Sequence, residues 1–199
     1  MLIRHADPDR DGAACAAIYA PHVIDSAVSL ETVAPSAEQI AQRISRLERT
    51  YPFLVAVDAE APAGGEPVVG FAYASPFNER AGYRWAAAAS VYVDARHQRR
   101  GVGRALYTSL FDLLRRQGLW TACSGITLPN EASVALHESF GFELVGIYRR
   151  IGWKAGRWRD VGWWQLALRA PTATERDEPP PQPDPPHRLE DDRSLHHPA

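Results

Sequence analysis

The chain has 199 residues, a formal net charge of -2, 45% apolar side chains and 23% charged ones. That length supports one well-buried domain and is short for two. The near-neutral charge gives no general attraction for nucleic acid, and no apolar run reaches the roughly 20 residues of a membrane span. In chain order, LIRHA (2–6) reads as a strand, and DPDRDGAACAAIYAPHV (7–23) as a helix entered through Asp and Pro. SLETVAP is a loop. SAEQIAQRISRLE (36–48) is a helix with Ser36 and Gln39 at capping-box spacing. FLVAVD and VVGFAYAS are strands joined by the Gly- and Pro-rich loop 59–67. ASVYVD (89–94) is a further strand. GRALYTSLFDLLRRQG (103–118) is a helix with Leu106, Leu110, Leu113 and Leu114 on one stripe. TACSGITL is a strand. NEASVALHESFG is a helix that Asn130 caps and Gly141 stops. ELVGIYRRIGW and DVGWWQLALR are two strands around the turn KAGRWR. Helices and strands alternate, which predicts an α/β fold: a mixed sheet with helices on its faces.

From Pro171 the composition changes. This segment holds eight of the 16 prolines and almost no apolar residues. Residues 171–199 are therefore expected to be a disordered acidic tail after a folded domain of residues 1–170. His196 and His197 offer two ligands where a structural metal site wants four, so no metal is expected. Cys15 and Cys123 sit among small or apolar neighbours, and the opening MLIRHADPDRDGAA lacks a signal-peptide core. A reducing, cytoplasmic setting is the expectation, with no disulfide framework.

One stretch concentrates charge. YVDARHQRRGVGRALY, within residues 92–107, packs Arg96, His97, Arg99, Arg100 and Arg104 around Gly101 and Gly103, between a strand and a helix. Glycines let a backbone approach a ligand closely, and a helix start presents unpaired N–H groups and a positive dipole end. The physical reading is a pyrophosphate cradle; a solvated arginine cluster on a tight turn fits the same residues. It is not a Walker loop, because no Gly-Lys-Ser/Thr follows, and a dinucleotide fingerprint would need a third glycine. Downstream, Asn130, Ser133 or Val134, and His137 share one helical face.

Gln98-x-x-Gly101-x-Gly103 together with Asn130…His137…Gly141-Phe142 resembles the GNAT superfamily of N-acetyltransferases. AYASPF, YRW…SVYVD, HQRRGVGRALY, LPNEASVALHE, FGF and GRWRDVGWWQL look like its phosphinothricin acetyltransferase branch, over about residues 1–170. The resemblance implies a mostly antiparallel central sheet with helices on both faces. It implies acetyl-CoA as cosubstrate, gripped by main-chain groups of Val91, Tyr92 and Val93. Arg99, Arg100, Gly101, Val102, Gly103 and Arg104 would take the pyrophosphate, with Asn130 and Ser133 on the other side. It implies His137 as the acid for the departing thiolate and the Val93 N–H at the oxyanion. For the amine of a small amino acid of the phosphinothricin or methionine sulfoximine type, the candidates are Glu31, Arg80, Tyr83 and Arg84. A homodimer is expected, with no nucleic-acid or membrane partner. The family pattern places a carboxylate three residues after YRW, as the base; here that position is Ala88. The alternative is accordingly a catalytically weak or silent acetyl-CoA-binding member. Leu30 and Asn78-Glu79 also depart from common family residues.

Overall fold

The computed structural model describes residues 1–59, 67–169 and 180–189. Seven strands form one sheet: β1 (Leu2–His5), β2 (Phe53–Val57), β3 (Val68–Pro76), β4 (Ala86–Val93), β5 (Thr121–Leu128), β6 (Glu143–Lys154) and β7 (Arg157–Ala167). Their order is β1-β2-β3-β4-β5-β7-β6. Every neighbouring pair is antiparallel except β4 with β5. Four helices complete the fold: α1 (Pro8–Ile24), α2 (Ala37–Leu47), α3 (Val102–Arg116) and α4 (Glu131–Glu138).

Strand alternation divides the core in two. Phe53, Val55, Val57 and Phe71 face α1 and α2, where they meet Ile18, Tyr19, Ile40 and Ile44. Leu54, Ala56, Ala72, Ala87 and Ala89 face α3, under Leu106, Leu110, Leu113 and Leu114. β2 is covered on both faces, which explains its unbroken apolar run. Local capping works as the residues predict. Asp7 accepts from the Asp9 and Arg10 N–H groups at 3.0 Å, with Pro8 opening α1. Ser36 and Gln39 form a complete capping box at α2.

Two boundaries differ from the sequence reading. β4 begins at Ala86 rather than at Ala89, because its alanines pair across to Ser75 and Pro76 on one side and to Thr121–Cys123 on the other. Alanine is a weak strand former alone, so tertiary pairing decides here. The turn expected over 154–159 shrinks to Ala155 and Gly156, both at positive φ.

Part of the tail is described. Residues 171–179 and 190–199, His196 and His197 among them, and most of loop 59–67, lie outside the described residues. Residues 180–189 are not loose: they lie on the domain. Trp85 Nε1 donates to the Pro181 carbonyl at 2.9 Å. The Asp184 N–H donates to the Gln117 carbonyl at 2.8 Å, and Leu189 packs against the α3-side core.

Candidate active site

β4 and β5 run parallel, in register at Ala86–Thr121, Ala87–Ala122 and Ala88–Cys123, and then separate. Ser124 marks the fork: its hydroxyl donates to the Ala89 carbonyl at 3.0 Å. On the other edge of β4, the Asp94 N–H donates to the Val69 carbonyl at 2.9 Å. Antiparallel hydrogen bonds alternate, so Tyr92, Ser90 and Ala88 pair with β3. Val91 and Val93 therefore turn their N–H and C=O groups toward the edge that β5 has left. The fork is a slot with a backbone donor and acceptor row along one wall. Val91, Val93 and Leu136 are partly buried apolar side chains of its lining, and all three lie within 4.0 Å of a Cβ placed on Gly103.

The slot ends at the glycine loop. Gly101 is the N-cap of α3, in a left-handed conformation with φ 81°, and no side chain caps the helix. The first N–H groups of α3 are thus left for a ligand or water. Arg99 also has positive φ, 57°, and Arg99 and Arg100 are exposed. Val102 is buried in the core, so only its backbone can serve a ligand. Arg104 reaches to α4, donating to Ser139 Oγ at 3.0 Å and lying over the Phe140 ring. Two of the five cationic or imidazole residues belong elsewhere. Arg96 and His97 are engaged with Asp94, at 3.0 and 3.4 Å. Hydrogen bonds and charge from Arg96 hold the Asp94 carboxyl well below the usual carboxylate range. Arg99 and Arg100 remain exposed beside the start of α3, while Arg104 is tied to α4.

Asn130 caps α4, accepting from the Ser133 N–H at 3.2 Å. One turn on, His137 is 3% exposed. Its Nδ1 lies 2.7 Å from the Ser133 carbonyl, which can only accept, so Nδ1 carries the proton. Nε2 is then the acceptor for the Tyr107 hydroxyl at 3.0 Å. Burial lowers the His137 pKa below 6.5, partly offset by the Ser133 contact. Burial likewise pushes the Tyr107 hydroxyl up, against a hydrogen bond with Ser124. A polar chain thus runs from the Ala89 fork through Ser124 and Tyr107 to His137. The ring expected to donate a proton has its single N–H committed to the backbone. Sequence reasoning passed over Tyr107 because its place beside the leucine stripe of α3 marks it as core. Its polar tip, which needs a partner when buried, was the available signal.

On the opposite face of the sheet, Ala88 shares its side with Ser90 and Tyr92 and sits between Ser75 and Cys123 in register. Glu31 enters from the α1–α2 loop. Its Oε1 accepts from Arg43 at 3.0 Å and from Tyr19 at 3.1 Å, while its carbonyl accepts from Lys154 of β6. Leu30 is wedged against β6, where a Cβ on Gly152 would meet its Cδ1 at 2.7 Å. Tyr83 joins Phe77 and Trp163 in an edge-to-face row. Arg80 is exposed. Arg84 folds back, donating to the Ala81 carbonyl at 2.8 Å and stacking over Trp85 at 5.2 Å. Glu31 and Tyr83 are thereby fixed by neighbours, whereas both arginines are held locally or free. A cavity of about 780 Å³, lined in part by Asn130, follows the Glu131–Val134–Glu138 stripe of α4 toward Arg149, Arg157 and Asp160.

The Acetyltransferase (GNAT) domain family model matches residues 4–163. The chain is 38% identical over 161 residues to a phosphinothricin N-acetyltransferase of Streptomyces viridochromogenes, covering 81% of this chain and 85% of that one. It is 34% identical over 169 residues to an L-methionine sulfoximine/L-methionine sulfone acetyltransferase of Salmonella typhimurium, covering 84% and 95%. In structure it is similar to a GNAT superfamily phosphinothricin acetyltransferase from Sinorhizobium meliloti solved in complex with AcCoA. That match has a TM-score of 0.78 and 31% identity, and covers 87% of this chain and 94% of the other.

Proposed function

The chain belongs to the GNAT acetyltransferase family, and we propose that it moves the acetyl group of acetyl-CoA onto the amino group of a small amino acid of the phosphinothricin or methionine sulfoximine type. The observation that carries this reading is the β4–β5 fork, which opens beside the uncapped start of α3. Pantetheine lies along β4, hydrogen-bonded by Val91 and Val93, with Tyr92 between them turned to β3. The pyrophosphate rests on the N–H groups of Gly101 to Arg104, with Arg99 and Arg100 adding charge. Asn130 and Ser133 close the far side. Every residue of the proposed site lies within residues 1–170.

The amine attacks the thioester carbon and the Val93 N–H holds the developing oxyanion. The bond to sulfur then breaks. A thiolate of pKa about 8.5 leaves without much help. His137, the acid the resemblance implies, has its N–H on the Ser133 carbonyl and its Nε2 on the Tyr107 hydroxyl, so the thiolate takes up, through water, the proton that the attacking amine gives up. Glu31 takes the substrate ammonium and Tyr83 walls the side-group pocket, with Arg80 and Arg84 at its rim. Both curated relatives carry acetyltransferase names, which speaks for turnover and lends nothing to a silent protein.

We place the protein in a reducing, cytoplasmic compartment. Cys15 and Cys123 are both buried free thiols, and burial pushes Cys15 up to about 12. Among the described residues no helix is long and apolar enough to cross a membrane. A homodimer fits the β6 edge: twelve residues with no strand beyond them among the described residues, exposing Leu144, Val145, Tyr148, Ile151 and Trp153.

The test is calorimetry with acetyl-CoA, then thiol release with phosphinothricin, methionine sulfoximine, methionine sulfone and simple amines. Binding without release from any amine, or no binding at all, refutes the reading.

A further inference from the structure

We propose that residues 180–189 form an intramolecular strap that holds the segment 78–85 in place at the amine side of the site. Its link to catalysis rests on the reading of Tyr83 and its neighbours as substrate-binding; its structural content does not.

Five of the strap's ten residues are proline. Such a chain is extended before it docks, so ordering it costs little entropy, and polyproline segments favour aromatic-lined grooves. The groove is present. Pro180 lines a cavity of about 190 Å³ with Gly82, Tyr83, Trp85, Ala86 and Trp120. Three contacts fix the strap along its length. Near its start, the Pro181 carbonyl accepts from the Trp85 indole N–H at 2.9 Å. In the middle, the Asp184 N–H caps the C-terminal end of α3 through the Gln117 carbonyl, one of the groups a helix end leaves unpaired. At its end, Leu189 packs on the α3-side core.

The consequence travels through Trp85. Its ring carries the Arg84 guanidinium at 5.2 Å, and its carbonyl accepts from the N–H groups of Trp120 and Thr121 at 2.9 and 3.2 Å. Trp85 is the last residue before β4, so the strap sets the exit of the segment whose other end is held by Phe77 on Trp163. Without it, 78–85 keeps its 3₁₀ turn, Ala81–Tyr83, the Tyr83–Phe77 ring contact and the Trp85 carbonyl bonds, and loses the indole anchor at its exit.

The experiment uses the full chain. Hydrogen–deuterium exchange is followed in segments 180–189 and 78–86, with β2 as the control for global folding. Two variants release the strap without touching the segment: Asp184→Pro removes the donor yet keeps an extended chain, and Leu189→Asp removes the anchor. Trp85→Phe keeps a ring and deletes the N–H. In the unmodified chain 180–189 exchanges slowly. In Leu189→Asp and Trp85→Phe both 180–189 and 78–86, and in Asp184→Pro, which deletes the strap's bonded amide, 78–86, speed up by about three- to tenfold, the worth of one modest hydrogen bond, with β2 unchanged. The KM for the amine rises by a similar factor while acetyl-CoA affinity stays put. Random-coil exchange of 180–189 in the unmodified chain overturns the strap. Release that leaves 78–86 unchanged overturns its positioning role. Failure to bind acetyl-CoA sinks the proposed function instead and leaves the exchange result standing.

Discussion

Position 88 offers the sharpest test of the chemistry. An attacking amine must first lose a proton, and a positioned base contributes about 10²–10⁴-fold to such a step. Ala88 has no group to accept one. Its side chain lies on the amine face of β4, with Ser75 and Cys123 as cross-strand neighbours and Ser90 two residues along. These small neighbours leave room for a longer side chain. Glu31, the carboxylate proposed for the amine, already accepts from Arg43 and Tyr19 at Oε1. The rate of the unmodified protein should therefore follow the neutral fraction of the amine, rising about tenfold per pH unit until the amine's own pKa. Ala88→Glu places a carboxylate on a half-buried strand. Partial desolvation there raises its pKa, which suits a general base at neutral pH. The substitution should cost about 1–3 kcal/mol of stability through imperfect pairing. It should raise turnover at pH 7 by at least tenfold and flatten the profile. Steady-state rates from pH 6 to 9.5 with the best amine decide the matter. Because Cys15 and Cys123 are buried, the protein's own thiols add little to a thiol-release signal. Fast, pH-flat turnover by the unmodified chain, with no gain from Ala88→Glu, refutes the argument and makes Glu31 the next residue to change.

Gly101→Val should weaken acetyl-CoA binding about tenfold by calorimetry, because φ 81° costs a β-carbon residue roughly 1–2 kcal/mol although a Cβ there meets nothing within 4 Å. Gly103→Ala should do much less, since its Cβ presses only on the flexible tip of Leu136 at 3.3 Å; equal losses at both positions would contradict the division between strain and space. His22 and His137 are both held below 6.5 by burial. The unfolded chain then binds protons first as pH falls, so stability is full above about 6.5 and declines below it. A melting temperature that is flat from pH 7.5 to 5.5 would remove the burial argument. Ile151→Lys on the exposed β6 edge should convert a dimer to a monomer in light scattering without loss of fold; an unmodified chain that is already monomeric ends the dimer proposal.

Local patterns were legible in the sequence, and distant pairings were not. Asp7, Ser36 with Gln39, and Asn130 each act within three residues, so their spacing alone announces them. The glycine loop was legible for the same reason. What sequence spacing assigned wrongly was the destination of charge: Arg96 and His97 look equivalent to Arg99 and Arg100 until Asp94 is seen to hold them. His137 and Tyr107 are thirty residues apart, and only the packing of α4 on α3 turns a candidate proton donor into a neutral acceptor.

The tail shows where a sound rule stops. Counting apolar residues predicts disorder for residues 171–199, because a segment must bury surface to offset its ordering entropy. That balance has two sides. Proline lowers the entropy to be lost, and a groove flanked by Trp85 and Trp120 supplies contact area and an N–H donor from ninety-six residues away. A segment poor in apolar residues can therefore be ordered by surface that belongs to another part of the chain. The composition of the segment says nothing about that surface; the two tryptophans that immediately precede β4 and β5 do.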